Sequence, residues 1–391
     1  MATATQAGDG RVRGLSLVYP AYYGYLGIVT PYMPLWLADR GFAGPAIAFA
    51  GAIVMMATTF GQLALPSTAL RLGLRRLTIF VALLAMLLTA AMGAAHAQGS
   101  ILVLAAASGV FCGALLPLLD GMVLSFPDTN WGRLRACGSL GFAASGIACG
   151  FAIDRFGAWT VIAAETFMLG LVLWGSAGVR SALAHVAATT DLSPRRGLGV
   201  LVVRKDVWLL MLAVALVNSG HAYYYTFANL HWMAVYGASA SSVGLLWAIG
   251  VGAEVAVLAF CSGSADVPPS LQRSVKLLLA GAAAGVLRWS ISALDPPFGT
   301  LLAAQLLHGF TFGATMAGGM QALRTIVAPN QLPAALGLFA GLVHGIVIGS
   351  VTLLIGRWSG PADTGGFWFM AIVCLLGGAF AAQFGRVARR Q

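Results

Sequence analysis

A small set of ionisable side chains stands inside long apolar stretches of this 391-residue chain: Asp120, Glu165, Glu254, Arg288, His221 and His308. Arg135 opens a further apolar stretch just beyond a short polar loop. In a hydrocarbon-like setting a charge of this kind costs roughly 2.5–3.5 kcal/mol on insertion scales unless it is paired or wetted. Two readings fit Glu254, Arg288 and His308. One is a structural ion pair that fixes helix packing. The other is a substrate and proton site, because a buried carboxylate near an arginine can exchange a proton when its surroundings change. Glu165 fits either reading equally, and His221, followed by Tyr223, Tyr224 and Tyr225, suits an aromatic-lined cavity or a packed core. Taken alone, Asp120 and Arg135 read as an ion pair near a loop, which is worth little.

Other chemistries lack their residues. The histidines (His96, His185, His221, His231, His308 and His344) are scattered over different segments without HExxH spacing, and no GxxxxGK[ST] loop occurs, so neither a zinc enzyme nor ATP drive is expected. Cys112, Cys137, Cys149, Cys261 and Cys374 are odd in number, show no CxxC spacing and read as packing residues. No enzyme activity, metal or cofactor is expected.

The elements that position these groups follow from composition. Only 9% of residues are charged and 59% are hydrophobic, against about 25% charged in soluble domains. Fifty glycines suit close helix packing in a bilayer. Apolar stretches long enough to cross a membrane fall near 14–37, 45–69, 77–95, 101–124, 135–153, 158–178, 207–231, 240–262, 275–294, 299–322, 334–356 and 367–384. The first is read as a retained helix, with no small-residue cleavage site after it. Pro31, Pro34, Pro66 and Pro117 are expected to kink their helices, while Trp36, Trp131, Trp159 and Trp232 read as markers of the membrane interface.

With the N-terminus inside, nearly all the Lys and Arg residues fall on the cytoplasmic side, Arg40, Arg155 and Arg357 being outside and Arg288 within a helix. The positive-inside rule then puts both ends in the cytoplasm. The net charge of +10 is this topological bias, spread thinly over loops, and not a nucleic-acid footprint. The longest polar connection, 179–206, divides the chain into an N-terminal six-helix bundle, 1–178, and a C-terminal one, 207–391. A weak repeat agrees: AYYGYLG from Ala21 resembles AYYYTFA from Ala222. Internal repeats typify secondary transporters, which bind cargo near the bilayer midplane. The expected fold is therefore all-α, with twelve transmembrane helices in two pseudo-symmetric bundles.

RLGLRR from Arg71, between the second and third helices, resembles in part the GxxxDRxGRR signature of the major facilitator superfamily, with Leu70 where the aspartate is expected. WGRLRACGSLGF from Trp131, HAYYYTF from His221, SSVGLLWAIGVGAEV from Ser241 and LLHGFTFGATMAGGM from Leu306 resemble the phenylpropionate permease family, itself similar to lactose-permease-type sugar:proton symporters. The resemblance implies that Asp120 and Arg135 contact substrate, and that Glu254, Arg288 and His308 match the acidic, basic and imidazole positions of those symporters. Thr311 stands where they carry the proton-bearing glutamate, which leaves Glu254 as the carboxylate for the proton.

The expected function is proton-coupled import of a small organic acid, plausibly an aromatic carboxylate such as 3-phenylpropionate, by alternating access across a bacterial-type inner membrane. An arginine suits the carboxylate head group, and tyrosine-rich helices suit a ring. Substrate binding is assigned to Asp120, Arg135, His221, Tyr224, Arg288 and His308, and proton coupling to Glu254 and His308. The partners are a small molecule, protons and lipid, with the chain acting as a monomer. A sugar or nucleoside symporter and a drug exporter of the same fold are the alternatives.

Overall fold

The computed structural model describes residues 2–124, 131–179, 199–262 and 270–389. The expected apolar stretches become helices α1 (Ala2–Asp39), α2 (Gly44–Ala64), α3 (Leu74–Ala94), α4 (Gln98–Leu124), α5 (Trp131–Phe156) and α6 (Thr160–Gly178). They continue with α7 (Lys205–Tyr236), α8 (Ala240–Ser262), α9 (Leu271–Ser292), α10 (298–326), α11 (Pro329–Ile355) and α12 (Gly365–Ala388). Ten spans among the described residues are long and apolar enough to cross a membrane. Pro66 ends α2 and opens a 3-10 turn, Pro66–Thr68, whereas Pro20, Pro31, Pro34 and Pro117 sit inside continuous helices.

The chain divides into two compact units. Unit 1 holds 1–43, 53–190 and 239–248; unit 2 holds 44–52, 191–238 and 249–391. Most of the 179–206 connection lies outside the described residues. In unit 1, α1 packs on α5 and α6, and α3 on α4 and α6. Six helices later the same pattern returns in unit 2, where α7 packs on α11 and α12, and α9 on α10 and α12. The faint resemblance between the first and seventh stretches is thus the trace of a repeated packing scheme.

Each unit has its own core. In unit 1 it is built on Tyr19, Tyr22, Leu77, Val81, Leu115, Leu118, Leu169 and Val172; in unit 2 on Leu210, Val214, Leu278, Leu323, Phe339, Val343 and Phe384. Close approach needs small residues. A Cβ on Gly61 would overlap the Val110 carbonyl oxygen, and one on Gly113 would overlap that of Thr58, so α2 and α4 meet backbone to backbone. Two tryptophans expected at the interface are core residues instead: Trp36 and Trp232 are fully buried, while Trp159 is exposed. The five cysteines are free; Cys137 is exposed and the other four are buried.

Asp154, near the end of α5, accepts the Ala240 and Ser241 N–H groups at 2.8 and 3.0 Å, capping the first turn of α8 within unit 1. The Tyr32 hydroxyl joins them, bridging the carbonyls of Gly146 and Ala240 at 2.9 and 2.8 Å.

Three helices of unit 2 widen into π turns, at Tyr224–Ala228 in α7, Gly309–Ala314 in α10 and Leu342–Ile346 in α11. A π turn inserts a residue and is seldom kept without a functional reason. His344 lies in one, His308 directly precedes another, and His221 lies shortly before the third. Asn218 of α7 donates through Nδ2 to the Val343 carbonyl at 3.1 Å, so the distorted stretch of α11 is tied to α7.

Candidate functional site

Unit 2 gathers five of the expected residues into one cluster. Arg288 lies on α9, four residues from its C-terminal end, and is 0% exposed. Its Nη1 donates to His308 Nδ1 at 2.9 Å and its Nη2 to Gln305 Oε1 at 2.6 Å. Its guanidinium carbon sits 4.3 Å from the Trp289 ring centroid and 4.7 Å from that of Tyr224. Each of these neighbours attracts a cation, yet none carries a negative charge.

The arginine fixes the state of its histidine. A guanidinium has donors only, so His308 Nδ1 must accept. The ring proton therefore sits on Nε2, which faces Glu254 Oε2 at 3.6 Å. That separation is longer than a hydrogen bond and too short to admit a bridging water, so a small movement brings carboxylate and imidazole into contact. Glu254, on α8, is the partly open end of the cluster, its side chain 21% exposed. Glu254, His308 and Arg288 thus form a row running from a half-open carboxylate to a sealed cation.

His221 stands behind this row. Its Nδ1 donates to the Asn218 carbonyl at 3.0 Å and its Nε2 meets the Thr311 hydroxyl at 3.1 Å. The ring packs edge-on against His308, with centroids 5.1 Å apart, and lies against Tyr224, Tyr225 and Trp289. Thr311 therefore ties the two histidine-bearing helices together.

Gln305 and Trp289 did not stand out in the sequence. Gln305 is fully buried, and its Nε2 donates to the Leu301 carbonyl at 3.2 Å, which aims its oxygen at Arg288. A glutamine one helical turn before His308, on the same face of an apolar stretch, was the available signal. Trp289 gave none, since a tryptophan near a helix end reads as an interface marker.

Asp120 belongs to unit 1. It is half-buried near the end of α4 and accepts a hydrogen bond from the Tyr19 hydroxyl of α1. The Arg135 side chain lies outside the described residues. Glu165 is 1% exposed in the interior of unit 1, and its Oε1 has no hydrogen-bond partner.

Comparison with known proteins agrees with this architecture. Residues 12–381 match the model of the MFS_1 like family. The chain is 26% identical over 372 residues to the probable 3-phenylpropionic acid transporter of Escherichia coli (strain K12), covering 93% of this chain and 95% of that protein. It is 24% identical over 360 residues to the maltose permease of Geobacillus stearothermophilus, covering 87% and 88%. Among solved structures, the nucleoside transporter NupG superimposes with a TM-score of 0.79 at 13% identity, covering 95% of this chain and 97% of that one. The chain belongs to the MFS_1 like family and is a multi-pass secondary transporter of the major facilitator superfamily.

Proposed function

We propose that this transporter is a proton symporter importing a small aromatic carboxylate such as 3-phenylpropionate across the bacterial inner membrane, with both termini cytoplasmic. The observation that carries the reading is Arg288: a sealed guanidinium that, among the described residues, bonds only uncharged groups. Its Nε has no partner. A buried cation without a counter-charge costs several kcal/mol even after relaxation, and a carboxylate on the cargo is the group that offsets this cost. The Tyr224, Trp289 and His221 rings beside it suit an aryl group. The name of the Escherichia coli relative supports the same class.

Glu254 and His308 handle the proton. When a carboxylate takes Arg288 from His308, Nδ1 becomes free to accept a proton, and the Nε2 proton already faces Glu254. Cargo and proton then share one switch, the single guanidinium. Asp120, Arg135, His221 and Tyr224 complete the substrate contacts, the two six-helix bundles 1–178 and 207–391 supply alternating access, and the monomer is the working unit.

Uptake of labelled 3-phenylpropionate into vesicles, with and without a proton gradient, tests this. Gradient-driven accumulation is expected, and Glu254→Gln should abolish it while sparing exchange. Uptake indifferent to the gradient removes the symport claim. Accumulation of maltose in place of the acid moves the chain to the sugar symporters, the reading that the maltose permease relative favours.

A further inference from the structure

His231, on the last turns of α7, takes no part in the site above, yet both of its ring nitrogens meet oxygen acceptors. The side chain is 1% exposed. Its Nδ1 lies 2.9 Å from the Pro361 carbonyl oxygen and its Nε2 2.7 Å from Asp295 Oδ1. A carbonyl oxygen and an ionised carboxylate only accept, and a neutral imidazole has one N–H. Both bonds are satisfied together only by the doubly protonated ring. Asp295 lies in the α9–α10 turn with its side chain 34% exposed, so water reaches the pair. Among the described residues Asp295 alone combines a non-glycine side chain with positive φ, at 45°.

Tyr223, Asp363 and Tyr236 stand near the pair. Tyr223 donates to the carbonyls of Gly360 and Asp363 at 3.0 and 2.7 Å, and the Asp363 carboxylate caps the Gly365 N–H at 2.8 Å. The Tyr236 hydroxyl has no hydrogen-bond partner. His231 and Tyr223 thus clamp α7 to the connections on either side of it, 293–297 and 356–364.

From the clamp an aromatic chain leads to the binding arginine. His231 packs edge-on against Phe367 at 5.4 Å, Phe367 stacks on Trp289 at 6.2 Å, and Trp289 lies under Arg288. The neighbouring Trp232 packs on Tyr224 at 5.8 Å, the second ring that faces Arg288. We propose that His231 is a proton-sensing positioning residue: doubly protonated, it pins Phe367, Trp289 and Trp232 and thereby sets the affinity of Arg288 for an anion. The inference rests on the carboxylate reading of Arg288 and adds a second use of the proton, as a signal and not as the driving ion. With both ring nitrogens protonated both bonds hold; loss of one proton removes one of the two ties.

Two measurements test it. With the full chain labelled at its histidine nitrogens, the His231 signal, assigned by its absence from His231→Gln, should show a doubly protonated ring at low pH that titrates. In uptake of 3-phenylpropionate, KM should rise roughly tenfold as pH is raised through that titration, the change that about 1.4 kcal/mol produces, with Vmax changing little. His231→Gln should hold KM at the high value throughout. Asp295→Asn keeps a residue tolerant of positive φ and should move the KM profile to lower pH. A singly protonated ring at low pH overturns the proposal, and so does a KM profile that both variants leave unmoved. If the chain carries no carboxylate, the functional reading fails by itself, and the nitrogen titration still decides whether the clamp exists.

Discussion

Arg288 and Gln305 form a pair whose roles separate by substitution. Arg288→Lys keeps the charge but loses the planar fork that grips a carboxylate. With hydrogen bonds to charged groups worth about 1.5–3 kcal/mol, KM for 3-phenylpropionate should rise roughly ten- to hundredfold in vesicle uptake. Gln305→Glu makes the opposite test. It places an internal carboxylate on Nη2, so the resident counter-charge should compete with the cargo. Anion affinity should collapse while the thermal midpoint stays level or rises. A variant that loses both would assign Gln305 to packing alone. Gln305→Ala, which leaves a buried donor without a partner, should instead destabilise the fold by about 1–3 kcal/mol. The charged members of this site were legible in the sequence, because a charge in an apolar stretch advertises itself. Gln305 was not, since an uncharged polar residue costs less in that setting and draws less notice.

At the level of helices, the close approaches give a sharp contrast between two glycines of α4. Gly113 faces the Thr58 backbone, which cannot yield as a side chain can, whereas a Cβ on Gly121 meets only Leu74 methyl groups at 3.4 and 3.6 Å. Gly113→Ala should lower the thermal midpoint, at a cost of about 1–3 kcal/mol for overpacking; Gly121→Ala should be neutral or slightly stabilising. Thermal unfolding of the two variants side by side checks this. Helix positions were legible from apolar length, and Pro66 marked a true break. The π turns were not legible, because one inserted residue leaves the apolar pattern of a membrane helix unchanged. Trp36 and Trp232 were misread for a related reason: the amphipathic ring serves equally at an interface and in a core, and composition cannot tell the two apart.

For the whole molecule, the repeat seen faintly in AYYGYLG and AYYYTFA became a packing scheme shared by both units. Composition suggested a division at the long polar connection; the two compact units also exchange short segments, which composition does not reveal. Ser239–Ala248 packs with unit 1, and the rest of α8, including Glu254, with unit 2. The α8 helix is therefore a lever with two owners. Asp154 and Tyr32 bolt down its first turn, and Glu254 lies about 20 Å further along, at 1.5 Å per residue. Gly250 and Gly252 lie within this unbroken helix just beyond the division. One continuous helix therefore carries both the turn that unit 1 caps and the carboxylate that unit 2 holds 3.6 Å from His308.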